Sequence, residues 1–365
     1  MLAFLIKSLP ENHLMILANG YATQGPQNKL VPFRFKRREP KDHDVLIEIQ
    51  FCGICHSDIH QARDEWGGSI YPMVPGHEIT GIVKAVGSKV SRYQVGDPVG
   101  VGCFVDSCRT CAHCQSGDDQ YCLGGTTLTY NGLEKDGKTP TYGGYSNLIV
   151  VDENYVVKIP PSMRLDHAAP ILCAGVTLYS PLKHWKTGPG QKVGIIGLGG
   201  LGHMGVNLAS AMGAQVSVLS HSPSKKADAL HMGAHELICT QDQSVFEKYA
   251  QQFNLIINTV AADIDINLYL NLLQLDGTLV SVGVPQKPLS IHPFSVILRR
   301  RSYAGSVIGS IAETQEVLNF CAQHKIHPEI ELISPSQINT AFERVLKSDV
   351  RYRFVIDLGK LESSS

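Results

Sequence analysis

The hexapeptide GLGGLG at residues 197–202 follows an apolar run at 193–196 and opens a stretch with helical character at 203–209. In such a strand–turn–helix setting, Gly197 makes the tight turn and Gly199 lets a pyrophosphate approach the backbone. Gly202 lets the helix pack on the strand, with its N-terminus facing the phosphates. The pattern predicts a dinucleotide site, with an unliganded glycine-rich turn as the alternative. The loop residues expected to contact the cofactor are Gly197, Gly199, Gly200, Leu201 and Gly202.

The segments that surround this loop repeat at strand–helix–strand spacing, which is typical of a parallel sheet. They predict a six-stranded doubly wound domain over residues 166–309. The predicted strands are Val193 to Gly197, Val216 to Leu219, Leu237 to Cys239, Asn254 to Asn258, Thr278 to Gly283 and Tyr303 to Ser306.

The rest of the chain has a different rhythm. Val45, Ile47, Ile49 and Phe51 follow a period of two, and 79–86 and 147–151 are further strand candidates, so this part is β-rich. Residues 313–324 and 336–346 are predicted helices, and 352–358 is a predicted closing strand that returns to the first lobe. We therefore expect a second domain formed by residues 15–165 and 310–365.

The end of the second predicted strand bears on cofactor choice. About twenty residues after the glycines, an NAD-preferring fold places Asp or Glu on the ribose hydroxyls. This chain has Ser220, Ser222 and Lys225 in the segment SHSPSKK instead. Hydroxyl and ammonium groups suit a 2′-phosphate, so the segment predicts NADP(H). A helix cap followed by a solvated lysine pair is the alternative interpretation.

Four cysteines crowd one short segment: Cys108, Cys111, Cys114 and Cys122. Their spacing supplies the four thiolates of a closed tetrahedral zinc site. An iron-sulfur cluster or disulfides are alternatives, although ferredoxin runs end in Cys-Pro and Leu123 follows the last cysteine here. Four protein ligands leave no open position, so the predicted zinc is structural.

Composition excludes several function classes. The chain has 365 residues, 43% of them apolar, and a formal net charge of −1, which gives no electrostatic attraction to nucleic acid or an anionic membrane. Ten cysteines with a metal-spaced set favour a reducing compartment, and we expect a cytoplasmic location. The apolar start at residues 1–7 is too short to span a membrane and lacks a basic leader, so residues 1–14 are expected to be an ordinary extension.

The motifs together are similar to those of zinc-dependent medium-chain alcohol dehydrogenases, and within them the chain resembles the cinnamyl alcohol dehydrogenase group. The resemblance covers residues 15–358 and rests on the phrases CGICHSDIHQARDEWG (52–67), PGHEITGIVKAVGSKV (75–90), GVGCFVDSCRTCAHC (100–114), GIIGLGGLGHMGVNLASAMGA (194–214) and SDVRYRFVID (348–357). It implies a GroES-like catalytic domain beside the Rossmann domain, and a protein that is often dimeric.

The resemblance also implies a second zinc, which spacing alone does not predict. Its ligands are expected to be Cys55, His77 and Cys173, with Glu78 able to exchange onto the metal. Three protein ligands leave a position for substrate, as a catalytic zinc requires.

The remaining implied roles belong to the proton path and the cofactor. Ser57 is expected to take the alcohol proton, His60 to pass it toward solvent and Asp58 to orient His77. A capped turn and an exposed loop residue are the alternatives for Asp58 and His60. Thr177 is expected to contact the cofactor.

These features predict an NADP(H)-dependent enzyme with two zinc ions per chain that interconverts small primary alcohols and aldehydes by hydride transfer. Aldehyde reduction is the expected direction, because NADPH is usually kept reduced. A zinc-free quinone reductase and a non-enzymatic redox sensor are the rival classes. The complete ligand set argues against the first, and the ligand set with Ser57 and His60 argues against the second.

Overall fold

The computed structural model of the chain describes residues 15–285 and 287–361. The predicted extension at residues 1–14 and the last four residues lie outside the described part. The strands are β1 Ile16–Ala22, β2 Val31–Arg37, β3 Asp44–Gly53, β4 Ile79–Val86, β5 Pro98–Val101, β6 Phe104–Asp106, β7 Thr127–Leu128, β8 Leu148–Asp152, β9 Val157–Lys158, β10 Lys192–Ile196, β11 Gln215–Ser220, β12 Glu236–Cys239, β13 Phe253–Asn258, β14 Leu273–Ser281, β15 Ser302–Gly305, β16 Ile330–Ile333 and β17 Arg353–Asp357.

The helices alternate with these strands mainly in the second half. The α-helices are α1 His56–Ala62, α2 Ala112–Ser116, α3 Leu165–Ala168, α4 Ala174–His184, α5 Gly202–Ala211, α6 Lys226–His231, α7 Ser244–Lys248, α8 Ile266–Leu272, α9 Pro293–Ile297, α10 Ile311–His324 and α11 Ile338–Leu346. Single 3₁₀ turns cover Asp119–Tyr121, Glu153–Tyr155, Ala169–Leu172, Pro223–Lys225, Pro335–Gln337 and Leu358–Lys360.

The six predicted Rossmann strands form one parallel sheet in the described part of the chain, in the order β12-β11-β10-β13-β14-β15. The order reverses between β10 and β13, and ligands of doubly wound sheets bind in the crevice at such a point. The glycine-rich loop leaves β10 at this crevice. Thr259 follows β13 there and donates from Oγ1 to the Ile196 carbonyl at 2.7 Å.

The β-rich half forms a sheet in the order β16-β17-β3-β4-β5-β9, with β8 also paired to β3. The predicted period of two is confirmed for Val45, Ile47 and Ile49 of β3, which are buried in the core, whereas Phe51 is half-buried. The predicted closing strand is also confirmed, since β17 pairs antiparallel with the end of β3. The last strand of the chain thus returns to the residues that precede Cys55.

Predicted and observed ends differ most at β14, which begins at Leu273 rather than Thr278. Its first residue pairs with Phe253, and a register shift then separates that pair from the regular ladder that starts at Thr278. No helix among residues 15–285 and 287–361 is long and apolar enough to cross a bilayer. The domain boundaries at residues 165 and 310 stay a prediction.

Candidate metal and cofactor site

Four buried side chains converge between the two halves of the chain. Donor atoms of Cys55, His77, Glu78 and Cys173 all lie within 4.8 Å of one another. The two sulfurs are 4.0 Å apart, and His77 Nε2 is 3.3 Å from the Cys173 sulfur. The structure therefore brings together every residue predicted for the catalytic zinc.

The sheet explains this convergence. Strands β3 and β4 pair antiparallel with Cys52 opposite Ile79, so Cys55, just after β3, meets His77, just before β4. Cys173 stands at the junction between the 3₁₀ turn Ala169–Leu172 and α4. The local sequence determines where each strand or helix ends, and the pairing of the strands brings these ends together.

Asp58 holds the histidine of this cluster. Its carboxylate is fully buried and lies 3.1 Å from His77 Nδ1. It also accepts hydrogen bonds from the backbone N–H groups of Cys55 at 2.8 Å and Gly76 at 3.1 Å, and from the Tyr145 hydroxyl at 3.1 Å. A carboxylate fixed in this way orients the ring so that Nε2 faces the sulfurs.

The electrostatics of the cluster favour a cation. The hydrogen bond from Cys173 lowers the pKa of Cys55 well below that of an ordinary thiol. Burial raises the pKa of Glu78 to about 8, although the nearby Arg353 guanidinium opposes the shift. Arg353 Nη2 lies 2.9 Å from Glu78 Oε1, yet neither carboxylate oxygen has a partner with hydrogen-bond geometry. Two thiols, an imidazole and an unsatisfied buried carboxylate are a donor set that zinc accepts.

The second cluster lies in the lobe around α2. The sulfurs of Cys108, Cys111, Cys114 and Cys122 also lie within 4.8 Å of one another. Backbone N–H groups point at them, from Cys111 to the Cys108 sulfur at 3.3 Å and from residue 108 to the Cys122 sulfur at 3.3 Å. Hydrogen bonds from the backbone of residues 110 and 111 lower the pKa of Cys108 to about 5, which favours the thiolate that binds metal.

Ser57 and His60 lie on α1 and point to different surroundings. Ser57 Oγ is 3.6 Å from the Cys55 sulfur, so its hydroxyl stands at the edge of the metal cluster. His60 Nδ1 pairs with Glu65, and its ring packs 4.9 Å from the ring of Trp66. In the described part of the chain no hydrogen bond joins Ser57 to His60. Trp66 is 44% exposed, so its ring lies at the surface beside His60.

The glycine-rich loop has the geometry that a dinucleotide requires. Gly197 has φ +89°, and a Cβ added there would lie 2.4 Å from Val260. A Cβ at Gly202 would lie 2.2 Å from the Gly197 carbonyl oxygen, so helix and turn touch there. A Cβ at Gly199 would meet open space, which leaves room for a phosphate. The residues fit the group that the motif predicts.

The segment after β11 lies beside this loop. Ser220 ends β11 and is buried, and its hydroxyl accepts from the Ser222 backbone at 3.1 Å. Ser222 stands at the N-cap position without a side-chain cap, half-buried Lys225 donates to the Leu198 carbonyl at 2.8 Å, and Lys226 is exposed. Thr177 is buried on α4, and its backbone N–H donates to the Cys173 carbonyl at 3.0 Å.

Sequence reasoning missed two residues of the site. Arg353 pairs with Glu78, and its guanidinium also lies against Gly200, where an added Cβ would be 2.7 Å from Nη1. Cys103 also belongs to the site, because a hydrogen bond with Cys173 lowers the pKa of its thiol. The basic motif RYR at 351–353 was the available signal for Arg353; Cys103 carried none.

A dinucleotide-binding sheet joined to a domain with two metal-donor clusters defines a metal-dependent dehydrogenase. Residues 41–161 match the family described as Alcohol dehydrogenase GroES-like domain, and residues 200–323 match the family Zinc-binding dehydrogenase. The chain is 58% identical over 341 residues to NADP-dependent alcohol dehydrogenase C of Mycobacterium bovis, covering 93% of this chain and 98% of that protein. It is 51% identical over 330 residues to Aldehyde reductase YahK of Escherichia coli, covering 90% and 94%.

A solved structure of an alcohol dehydrogenase has the same fold as this chain. The cinnamyl alcohol dehydrogenase SbCAD4 from Sorghum bicolor has a TM-score of 0.93 at 42% identity, with 96% of this chain and 100% of that chain covered. The chain belongs to the zinc-binding alcohol dehydrogenase family with a GroES-like domain, and the fold expected from the resemblance is confirmed.

Proposed function

We propose that the protein is an NADP(H)-dependent zinc alcohol dehydrogenase and aldehyde reductase that interconverts primary alcohols and aldehydes of aromatic, cinnamyl or medium-chain type. One observation carries the proposal: the side chain of Arg353 contacts both Glu78 of the donor cluster and Gly200 of the dinucleotide loop. A single guanidinium spans the gap, so a cofactor on the loop lies within reach of a substrate at the cluster. The relatives named for NADP, aldehyde reduction and cinnamyl alcohol support the cofactor and substrate classes.

Cys55, His77 and Cys173 would hold the catalytic zinc, and Glu78 would be able to exchange onto it. The ion would supply Lewis acidity toward the substrate oxygen, and the nicotinamide would give or take the hydride. Asp58 would accept the Nδ1 proton of His77, which leaves the Nε2 lone pair for the metal. Ser57, at the cluster edge, would exchange the proton of the substrate hydroxyl, and the His60–Glu65 pair would carry it outward. Cellular NADPH favours aldehyde reduction as the direction.

The second cluster would hold the structural zinc. Its four thiols leave no position for substrate, so its contribution is to the fold of the lobe. Tyr121 of this lobe accepts from the backbone N–H of Val307 at 3.4 Å, which ties the lobe to the segment after β15. Loss of this metal is therefore expected to loosen the lobe and its contact with the Rossmann half.

A homodimer in the cytoplasm completes the proposal. Strand β15 is an edge of the six-stranded sheet in the described part of the chain, and three of its four residues are exposed. Phe294, Leu298 and Val307 near this edge are 61%, 71% and 49% exposed. An unpaired sheet edge with exposed apolar side chains before and after it in the chain suits pairing with the same edge of a second copy. Light scattering that shows a monomer at micromolar concentration would contradict the dimer.

The activity is tested with the zinc-loaded chain and three aldehydes: cinnamaldehyde, benzaldehyde and hexanal. We expect NADPH oxidation with at least one of them, and a kcat/KM for NADPH about ten- to a hundredfold above that for NADH, as one charge-assisted contact to phosphate predicts. The metal-free chain should bind NADPH but not react. Turnover of quinones with undiminished rate in the metal-free chain would instead indicate a zinc-free reductase.

A further inference from the structure

Three consecutive residues of the last segment contact the dinucleotide-binding half. Arg353 begins β17 and lies against Gly200. The Tyr352 hydroxyl donates to Asp228 Oδ2 at 2.6 Å, and its ring stacks on His203 with centroids 5.4 Å apart. Arg351 Nη1 also donates to Asp228 Oδ2. The closing segment of the catalytic half therefore places a second arginine, Arg351, against the dinucleotide-binding half.

The position of Asp228 places this arginine near the predicted 2′-phosphate residues. Asp228 stands on α6 three residues after Lys225, and residues at this spacing share a helix face. Lys225 reaches in the other direction, to the carbonyl of Leu198 in the glycine-rich loop. Burial lowers the pKa of Lys225, and the charge of Arg351 lowers it further, as expected for two neighbouring cations.

The guanidinium of Arg351 has exposed N–H donors that could bind an anion. Its side chain is 61% exposed, and Asp228 is 23% exposed. A guanidinium has five N–H donors in a planar fork, which matches a phosphate with two parallel hydrogen bonds. Only one of its nitrogens is bound by Asp228, so the others remain for a ligand.

We propose that Arg351 is a further 2′-phosphate ligand, supplied by the catalytic half and held beside α6 by Asp228. The phosphate dianion would join a site of Ser220, Ser222, Lys225 and Arg351. Asp228 restrains the arginine in the free protein and opposes the dianion by its own charge. Discrimination between NADP(H) and NAD(H) then depends on both halves of the chain. The inference rests on the NADP(H) preference proposed above.

The test is the binding of four probes to the zinc-loaded chain by calorimetry: NADPH, NADH, 2′,5′-ADP and 5′-AMP. Arg351→Ala should weaken NADPH and 2′,5′-ADP by about 5- to 20-fold, the range for a partly screened charge-assisted contact, and NADH and 5′-AMP by less than about twofold. Asp228→Asn keeps an acceptor for Tyr352 and should tighten the two phosphorylated probes by about two- to fivefold. The matched control Arg300→Ala, at an exposed ion pair with Asp276, should change none of them.

The opposite directions of the affinity changes expected for Arg351→Ala and Asp228→Asn distinguish phosphate binding from a purely structural role. If the Arg351–Asp228 pair only fastens the last strand to α6, both substitutions will weaken all four probes and lower the melting temperature alike, which overturns the inference. Equal weakening of NADPH and NADH by Arg351→Ala also overturns it. Equal affinity for NADPH and NADH in the unmodified chain would refute the proposed cofactor preference itself. A preference that Lys225→Ala abolishes and Arg351→Ala leaves intact would refute only the present inference.

Discussion

Arg353 and Glu78 form an ion pair of 2.9 Å whose two side chains are 4% and 0% exposed. The pair ties the closing strand β17 to the metal-donor cluster, and Arg353 also lies against the dinucleotide loop. Its position explains why the chain must return to its first sheet at the end. The two partners respond differently when the other is removed. An isolated buried carboxylate can become neutral by taking up a proton, whereas an isolated buried guanidinium stays charged.

Glu78→Gln should therefore destabilise the chain more than Arg353→Gln. At pH 9, where the Glu78 carboxyl with its pKa of about 8 is ionised, the first leaves a buried guanidinium without this counter-charge, which costs about 3–5 kcal/mol. The second leaves a carboxyl whose pKa burial raises to about 8 already, so protonation relieves part of the loss. The double variant should lose less than the sum of the two singles. Urea unfolding midpoints of the zinc-loaded proteins measure the order; additive losses would show that the pair is not coupled.

Metal stoichiometry tests both clusters. The unmodified chain should bind two zinc ions, and Cys111→Ser should remove one of them and lower the melting temperature. His77→Ala should keep the fold and lower turnover at least about a thousandfold, since Lewis-acid stabilisation is worth several kcal/mol. Cys239→Ser, at a half-buried cysteine outside both clusters, is the control and should keep both ions. A single zinc that survives replacement of all four lobe cysteines would contradict the assignment.

How much of the site the sequence predicts depends on how far apart the site residues lie along the chain. The glycine-rich loop and the four lobe cysteines are local, so spacing and flanking pattern were enough. Cys173 is 118 residues from Cys55 and 96 from His77, and only the resemblance joined them. The RYR motif marks Arg353 as a candidate, but the pairing of β17 with β3 is what places it at the site. Tyr145 reaches the site through backbone hydrogen bonds of its loop with Tyr21 and Pro75, which no local pattern encodes.

The strands show the same division. The central strand β10 was predicted well, because a buried apolar run between turns has few alternatives. The early start of β14 depends on its pairing with Phe253 and on a register shift, both of which belong to the assembled sheet. The contact of Lys225 with the Leu198 carbonyl is likewise a property of the fold, because Lys225 lies in the 3₁₀ turn after β11 and Leu198 in the loop after β10.

Acid should destabilise the protein through His203. Burial, together with the charge of Arg353, lowers the pKa of this histidine to about 4 from an ordinary 6.5. The folded chain keeps the ring neutral while the unfolded chain protonates it, so the stability is fully present above the ordinary pKa and is lost as pH falls toward about 4. Between about pH 7.5 and about pH 5.5 this amounts to about 1 kcal/mol.

The variant His203→Phe isolates this contribution. Phenylalanine keeps a ring against Tyr352, where the present centroids are 5.4 Å apart, but has no proton to bind. The difference in the free energy of unfolding between the two proteins should therefore change by about 1 kcal/mol over that pH interval, in favour of the variant at the acid end. Parallel pH profiles would show that His203 is already protonated or is accessible to solvent in the folded chain.

The last prediction concerns the proton path, where Ser57 stands 3.6 Å from the Cys55 sulfur and His60 pairs with Glu65. Ser57→Ala should lower kcat/KM for alcohol oxidation by about 10²- to 10⁴-fold, the range for a positioned acid–base group, because its hydroxyl stands beside the metal-donor cluster at which the substrate oxygen would bind. His60→Ala should lose less and regain activity with a small buffer base such as imidazole, since water reaches its partly exposed position. Glu65→Gln should resemble His60→Ala. Zinc and NADPH binding must be intact in each variant, and a Ser57→Ala enzyme with undiminished alcohol oxidation would show that the proton leaves by another route.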